Sequence, residues 1–260
     1  MNTFPVIAID GPSGSGKGTV ASAVADVLGW HLLDSGALYR IVAYSAIQNR
    51  LNLDEPEKLS EMIQGLDIAF VRSNSDLEIL VDGEEVTRSI RTDAVSVAAS
   101  TVAQHETVRV SLVALQRKHR QPPGLVADGR DMGSVVFVDA PLKIYLDASL
   151  EARALRRYKQ LKDKDLDDTL RDLSVTKSGA KIRDPDVKGR QSLQVGVVGG
   201  LNLQKIRDSM ANRDVQDKNR KSAPLVKADD AIYIDSTDLS VENVINEIIR
   251  HARSRSLTTC

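Results

Sequence analysis

The stretch that decides the fold is VIAIDGPSGSGKGT, residues 6–19. Val6 to Asp10 is apolar on both alternating positions, as a strand covered on both faces must be. Gly11, Gly16 and Lys17 then follow in the spacing G-x-x-x-x-G-K. From Gly18 to Leu28, Val20, Ala21, Val24 and Val27 recur at helical spacing, and Gly29 stands where a C-terminal cap belongs. A glycine turn between strand and helix lets successive N–H groups point at phosphate oxygens. The helix start adds its positive end, and the lysine reaches the outer phosphates. Gly11, Pro12, Ser13, Gly14, Ser15, Gly16, Lys17, Gly18 and Thr19 therefore read as a cradle for the triphosphate of ATP. In one place the pattern departs from strict form: Gly18 follows the lysine, and the hydroxyl arrives only at Thr19.

Four more apolar runs resemble the first: WHLLD from Trp30, GLVADG from Gly124, KIYLDA from Lys143 and AIYID from Ala231. Helical patterns separate them at Ala37 to Gln48, Val95 to Gln104, Val108 to His119, Leu150 to Leu161 and Val241 to Ala252. Alternation of this kind predicts an α/β fold, a doubly wound five-stranded parallel sheet. Two regions break the alternation. Asp67 to Arg88 gives three short strand-like pieces divided by Asn-Ser-Asp and Asp-Gly turn signals, a small antiparallel insertion. Asp163 to Gly200 is polar and lysine-rich, then glycine-rich at VGVVGG, and is expected to be a mobile insertion.

Composition narrows the partners. With 35 basic and 36 acidic residues among 260, the net charge is −1, which offers no global attraction to nucleic acid or an anionic membrane. Anion recognition must be local. No apolar run approaches the length that crosses a bilayer. Cys260, the single cysteine, cannot form an internal disulfide. A cytoplasmic protein is expected.

Two further motifs carry chemistry. LLDSGALYR, residues 32–40, ends the second strand at Asp34 and starts a helix with Ser35 as expected N-cap and Arg40 a turn and a half on. This arrangement holds a second phosphate or serves as an ordinary helix cap with a solvated arginine. LVADGRDMGSVVF, residues 125–137, sets Asp128 at the carboxyl end of a strand, where open α/β sheets bind ligands, with Gly129, Arg130 and Asp131 on the loop. A carboxylate there can hold Mg²⁺ water, and the arginine can fork onto phosphate; a turn with an internal ion pair has the same residues. Arg213, Asp217 and Arg220 share one helical face by their spacing, as a ligand-facing row or a surface salt-bridge ladder would.

The form G-K-G-T resembles the nucleoside monophosphate kinases. Together, GPSGSGKGT, DSGALYR and DGRDMG closely resemble the bacterial cytidylate kinases of that group, and the likeness extends through SIRTDAVSVAAS, residues 89–100, to RDVQDKNRKSAPL, residues 213–225. The stretch from Asp163 to Gly200 is longer than the family leads one to expect. The resemblance implies a core of residues 1–64, 91–150 and 221–260, a monophosphate-binding insertion at 65–90, and a helical lid at 151–220. It implies that Ser35, Arg40 and Arg130 hold the CMP phosphate. Asp131 would accept from the cytosine amino group, Ser100 and Arg109 would complete the base pocket, and Arg213, Asp217 and Arg220 would reach the ribose and base. Arg153, Arg156 and Arg157 would be lid arginines closing over the transferring phosphates. Lys17, Asp128, Arg130, Arg153 and Arg157 are thus the catalytic candidates. Mg²⁺ would be held mainly by ATP phosphates, with Thr19 and Asp128 as candidate ligands, and a monomer acting on ATP and CMP or dCMP is expected. A carboxylate facing an exocyclic amine prefers cytosine, because uracil would set a carbonyl against it. Other readings of the same loop are a kinase for a different small acceptor such as shikimate, a regulatory NTPase, and a binding module without catalysis. An assay of ADP release against a panel of monophosphates separates them.

Overall fold

The computed structural model describes residues 4–73, 76–177, 202–220 and 222–257. The chain runs β1 (Val6–Asp10), α1 (Lys17–Leu28), β2 (His31–Asp34), α2 (Ser35–Gln48), α3 (Pro56–Gly65), β3 (Ile68–Ser73), β4 (Asp76–Val81) and β5 (Glu84–Glu85). It continues through α4 (Asp93–Val102), α5 (Glu106–Lys118), β6 (Leu125–Gly129), β7 (Leu142–Asp147), α6 (Leu150–Lys177), α7 (Leu203–Asn219), β8 (Ile232–Asp235) and α8 (Val241–Ser254). Five strands form one parallel sheet in the order β2-β6-β1-β7-β8, and β3-β4-β5 form a separate antiparallel sheet. The doubly wound α/β fold and its antiparallel insertion are as the alternation predicts.

Because side chains alternate along a strand, β1 serves two cores at once. Val6 and Ala8 join Leu33, Leu125 and Ala127 under α2, α4 and α5 on one face. Ile7 and Ile9 join Val126, Ile144 and Leu146 under α1 and α8 on the other. Each fully buried Ile or Leu contributes roughly 1.5–3 kcal/mol, so the strand ends stand on a firmly buried base. Those ends carry acids. Asp34 is in register with Asp128, and Asp10 is in register with Gly129 and Tyr145.

Gly29 closes α1 as expected, at φ 65° with its N–H on the last turn. The cap of α2 differs from expectation. Asp34, rather than Ser35, is the N-cap: its Oδ1 accepts from the Ala37 N–H at 2.9 Å, and Ser35 becomes the first helical residue. Both residue types cap well, and the carboxylate wins because it also pairs with Arg40 at 3.0 Å. Sequence periodicity passed over α3, whose buried face is only Leu59 and Ile63 behind Pro56 at the first turn. The expected mobile insertion is corrected over its first part, since residues 163–177 continue α6 as helix. Leu166, Leu170 and Leu173 recur there at helical spacing among charged residues, a period that the polar composition hides; residues 178–200 of the expected insertion lie outside the described residues. The antiparallel insertion contributes Ile79, Val81 and Val86 to the core beneath α2 and α4.

Candidate functional site

The glycine loop between β1 and α1 is a backbone device held by side chains from outside it. Gly11, at φ 154°, passes so close to β7 that a Cβ there would lie 2.0 Å from the Leu146 carbonyl oxygen. Gly16 turns the chain into α1 at φ 92°, in the left-handed region where a side chain is strained. The loop carbonyls are tied down: Lys17 Nζ donates to Pro12 O at 3.0 Å, Arg153 to Ser13 O at 3.1 Å, and Arg156 to Ser15 O at 3.3 Å. The buried Ser236 hydroxyl donates to Ser15 O as well, at 3.0 Å. At the loop's end the first turn of α1 presents N–H groups with no intrahelical partner, together with the positive end of the helix.

This places Arg153 otherwise than expected. Its guanidinium is buried behind the loop and fully engaged, by Ala148 O at 2.9 Å, Ser13 O and Asp214 at 2.7 Å. It lines no part of the cleft. Arg156 is likewise turned to Ser15, Ser236 and Thr237. Helical spacing reveals a face but not which way a guanidinium bends, and three protein acceptors settle it here. Arg157 is exposed on the same helix.

In front of the loop lies a cleft of about 580 Å³. Ser13, Lys17 and Asp128 line it, and so do all nine residues expected to hold a nucleotide monophosphate: Ser35, Arg40, Ser100, Arg109, Arg130, Asp131, Arg213, Asp217 and Arg220. They arrive from α2, α4, α5, the loop after β6, and α7. None of the lining residues belongs to 65–90; Ile79, Val81 and Val86 of that insertion join the hydrophobic core instead. Sequence reading missed Tyr39, Gln104, Gln216 and Asn219, which also line the cleft. For Tyr39 a signal existed in its place beside Arg40 in the motif, and it lies 5.5 Å from the Arg109 guanidinium in a cation–π contact.

The wall is a mosaic of paired charges. Arg40 meets Asp34 at 3.0 Å, Arg130 meets Asp217 at 2.9 Å, and Arg109 meets Asp131 in a buried contact. Arg109 and Asp131 are 4% and 5% exposed in their side chains, so each charge depends on the other. Burial lifts the Asp131 carboxyl above its ordinary range against the pull of Arg109. Burial, then the nearby Arg130, lowers Arg213. Several polar atoms in this wall are buried with no protein partner: Arg40 Nε, Arg109 Nε, one terminal nitrogen of Arg220, and Asp128 Oδ1. Unsatisfied buried donors and acceptors are costly, and a ligand of complementary charge relieves them.

Lys17 and Asp128 face each other across the start of α1. Desolvation, reinforced by Arg130, holds the Lys17 ammonium well below its ordinary range, while desolvation lifts Asp128 and Lys17 opposes that lift. Gly18 explains the departure from strict motif form: a Cβ there would lie 3.2 Å from Asp128 Oδ2. Asp128, with one unpartnered oxygen beside the loop, is a hard oxygen donor suited to Mg²⁺ or its water. Thr19 is exposed in the first turn of α1. Among the described residues no three His, Cys, Asp or Glu side chains cluster to hold a metal by themselves. Also among them, no helix is long and apolar enough to cross a membrane.

Comparison with known proteins gives the family. The family model for cytidylate kinase matches residues 7–192 and 187–254. The cytidylate kinase of Klebsiella pneumoniae strain 342 is 42% identical over 252 residues, spanning 97% of this chain and 96% of that protein. That of Colwellia psychrerythraea strain 34H is 44% identical over 256 residues, spanning 98% and 99%. That of Edwardsiella ictaluri strain 93-146 is 43% identical over 249 residues, spanning 96% of each. The chain belongs to the cytidylate kinase family and is a phosphotransferase.

Proposed function

We propose that this member of the cytidylate kinase family transfers the γ-phosphoryl group of ATP to the 5′-phosphate of CMP or dCMP, giving ADP and CDP or dCDP. One observation carries the reading: Lys17 and Asp128, beside the glycine loop, line the same cleft as Arg40, Arg130 and Arg213 and the Asp131–Arg109 pair. A donor triphosphate on the loop and an acceptor phosphate among the guanidiniums would then face one another.

In this reading the loop amides and Lys17 bind the β- and γ-phosphates, and Arg40, Arg130 and Ser35 hold the acceptor phosphate. Asp131, oriented by Arg109 and with Ser100 nearby, reads the cytosine amino group; Arg213, Asp217 and Arg220 reach the ribose and base. Asp128, with Thr19 as a second candidate, would hold Mg²⁺, whose chemistry is to neutralise phosphate charge. The transferred phosphoryl group carries its charge on three outer oxygens, so several fixed cations stabilise it and no covalent enzyme intermediate is needed. Lys17, Arg130 and Arg213 are within the cleft for this task, with Arg157 able to join from α6. Arg153 acts at one remove, by fixing Ser13. Residues 151–220 serve as the lid that excludes water, and residues 65–90 serve the acceptor indirectly, through the core that Ile79, Val81 and Val86 join. One chain would supply both grips, so a monomer suffices, and its substrates would be the nucleotide pools of the cytoplasm.

The test is ADP formation, coupled to a reporter, across CMP, dCMP, UMP, AMP, GMP and shikimate. Rapid turnover with CMP and dCMP is expected. Turnover equal across all acceptors, or ADP release without any, would contradict the proposal.

A further inference from the structure

We propose that Asp10 is a positioning residue for the acceptor nucleotide: from the end of the central strand its carboxylate clamps the loop that carries Arg130 and Asp131, and so sets the discrimination between cytosine and uracil. The inference rests on the acceptor reading given above.

Asp10 is 5% exposed, and both of its oxygens are spent on one loop. Oδ1 accepts from the Met132 N–H and Oδ2 from the Gly133 N–H, each at 2.8 Å. Two consecutive amides on one carboxylate prevent the loop from pivoting about a single bond. Asp131, at φ −148° and ψ 22°, leads directly into the π-helical turn Met132–Val136 that these bonds begin. The clamp is closed from the side as well. A Cβ on Gly133 would lie 3.1 Å from the Lys143 stem on β7 and 3.4 Å from Asp10 Oδ2. Met132, fully buried, folds back against Gly129, where a Cβ would stand 2.7 Å from its Cγ. The backbone on either side of Arg130 and Asp131 is therefore fixed on the strand beneath it.

The glycine loop starts one residue after Asp10 yet is held by different groups. Its carbonyls are taken by Lys17, Arg153, Arg156 and Ser236, whereas both Asp10 oxygens go to residues 132 and 133. Removing the carboxylate should thus loosen the acceptor side and spare the donor side. An amide in its place has one acceptor oxygen, and its NH₂ group would meet an N–H that had lost its partner. A displacement of about 1 Å at Asp131 is enough to misplace a base edge.

Steady-state kinetics of Asp10→Asn test this at pH 8, above the value of about 7 to which burial lifts its carboxyl. The KM for CMP should rise about tenfold or more, the CMP-to-UMP ratio of kcat/KM should fall by a similar factor, and the KM for ATP should stay within about twofold. A folded variant in which ATP and CMP constants move together, or in which the ratio is unchanged, overturns the inference. Should Asp10→Asn not fold, Gly133→Ala crowds the same clamp from the side, chiefly against the Lys143 stem at 3.1 Å, and a rise of about threefold in the KM for CMP alone is expected; no change in the CMP-to-UMP ratio there overturns the proposal. The two readings fail differently. An unmutated enzyme without CMP preference removes the acceptor reading and this inference together, while a preference kept in both variants removes only the role of Asp10.

Discussion

The two ends of the cleft would grip phosphate by opposite means. At the glycine loop the ligand-facing groups are main-chain amides, and side chains from α6 and the loop after β8 merely hold the carbonyls away. At the acceptor wall the ligand-facing groups would be guanidiniums from α2, α5, α7 and the loop after β6, four of them already paired with a carboxylate. The difference follows from charge. Amides are neutral and stand ready at no electrostatic cost, whereas several buried cations side by side repel one another and require counter-charges until the nucleotide arrives. A backbone cradle can be written in nine consecutive residues. A wall of side chains has to be assembled from distant ones.

The comparison breaks first at Lys17, the one long side chain that the donor end contributes to the cleft. Lys17→Ala should lower kcat by about 10²- to 10³-fold while leaving the KM for CMP nearly unchanged; a change confined to the KM for CMP would put Lys17 on the wrong side. Next is Arg130→Ala, which removes a charge-assisted contact and should raise the KM for CMP by about 10- to 100-fold with the KM for ATP unmoved. Isothermal titration with each nucleotide separates the two. Asp131→Ala should act on selectivity rather than rate, cutting the preference for CMP over UMP by about tenfold. Equal constants for both nucleotides in the unmutated enzyme would remove that assignment.

The smallest expected effect concerns stability. Burial raises the Asp10 carboxyl from its ordinary 3.8 to about 7. Between those values the native state keeps a proton that the unfolded chain has released, so this group makes stability fall as pH rises through that window. A single proton limits the slope to about 1.4 kcal/mol per pH unit. Urea unfolding at pH 5 and pH 7 should therefore show the unmutated protein losing on the order of 1–2 kcal/mol more than Asp10→Asn, and equal losses would show that ionising this buried acid carries no cost.

What could be read from sequence divides along the same line. The glycine loop, its strand and α1 were legible because their determinants are contiguous and periodic. The α/β order followed from strands that are apolar on both faces. Residues of the acceptor wall entered through resemblance, and nothing in their own spacing announced that α7 would lie across from α2. Asp10 escaped notice because an acid before a glycine looks like part of a turn, while its partners lie more than a hundred residues away. The resemblance implies a lid role for Arg153; its acceptors at Ser13, Ala148 and Asp214 come from three separate parts of the fold. Ser35 lost the cap to Asp34 through one additional ion pair with Arg40.

The most direct test of two grips in one cleft is calorimetry with a dinucleotide in which adenosine and cytidine are joined through five phosphates. It should bind one per chain, more tightly than ATP or CMP alone, exclude both, and be weakened by Lys17→Ala and by Arg130→Ala alike. Binding no tighter than ATP, with CMP still able to enter beside it, would contradict the account.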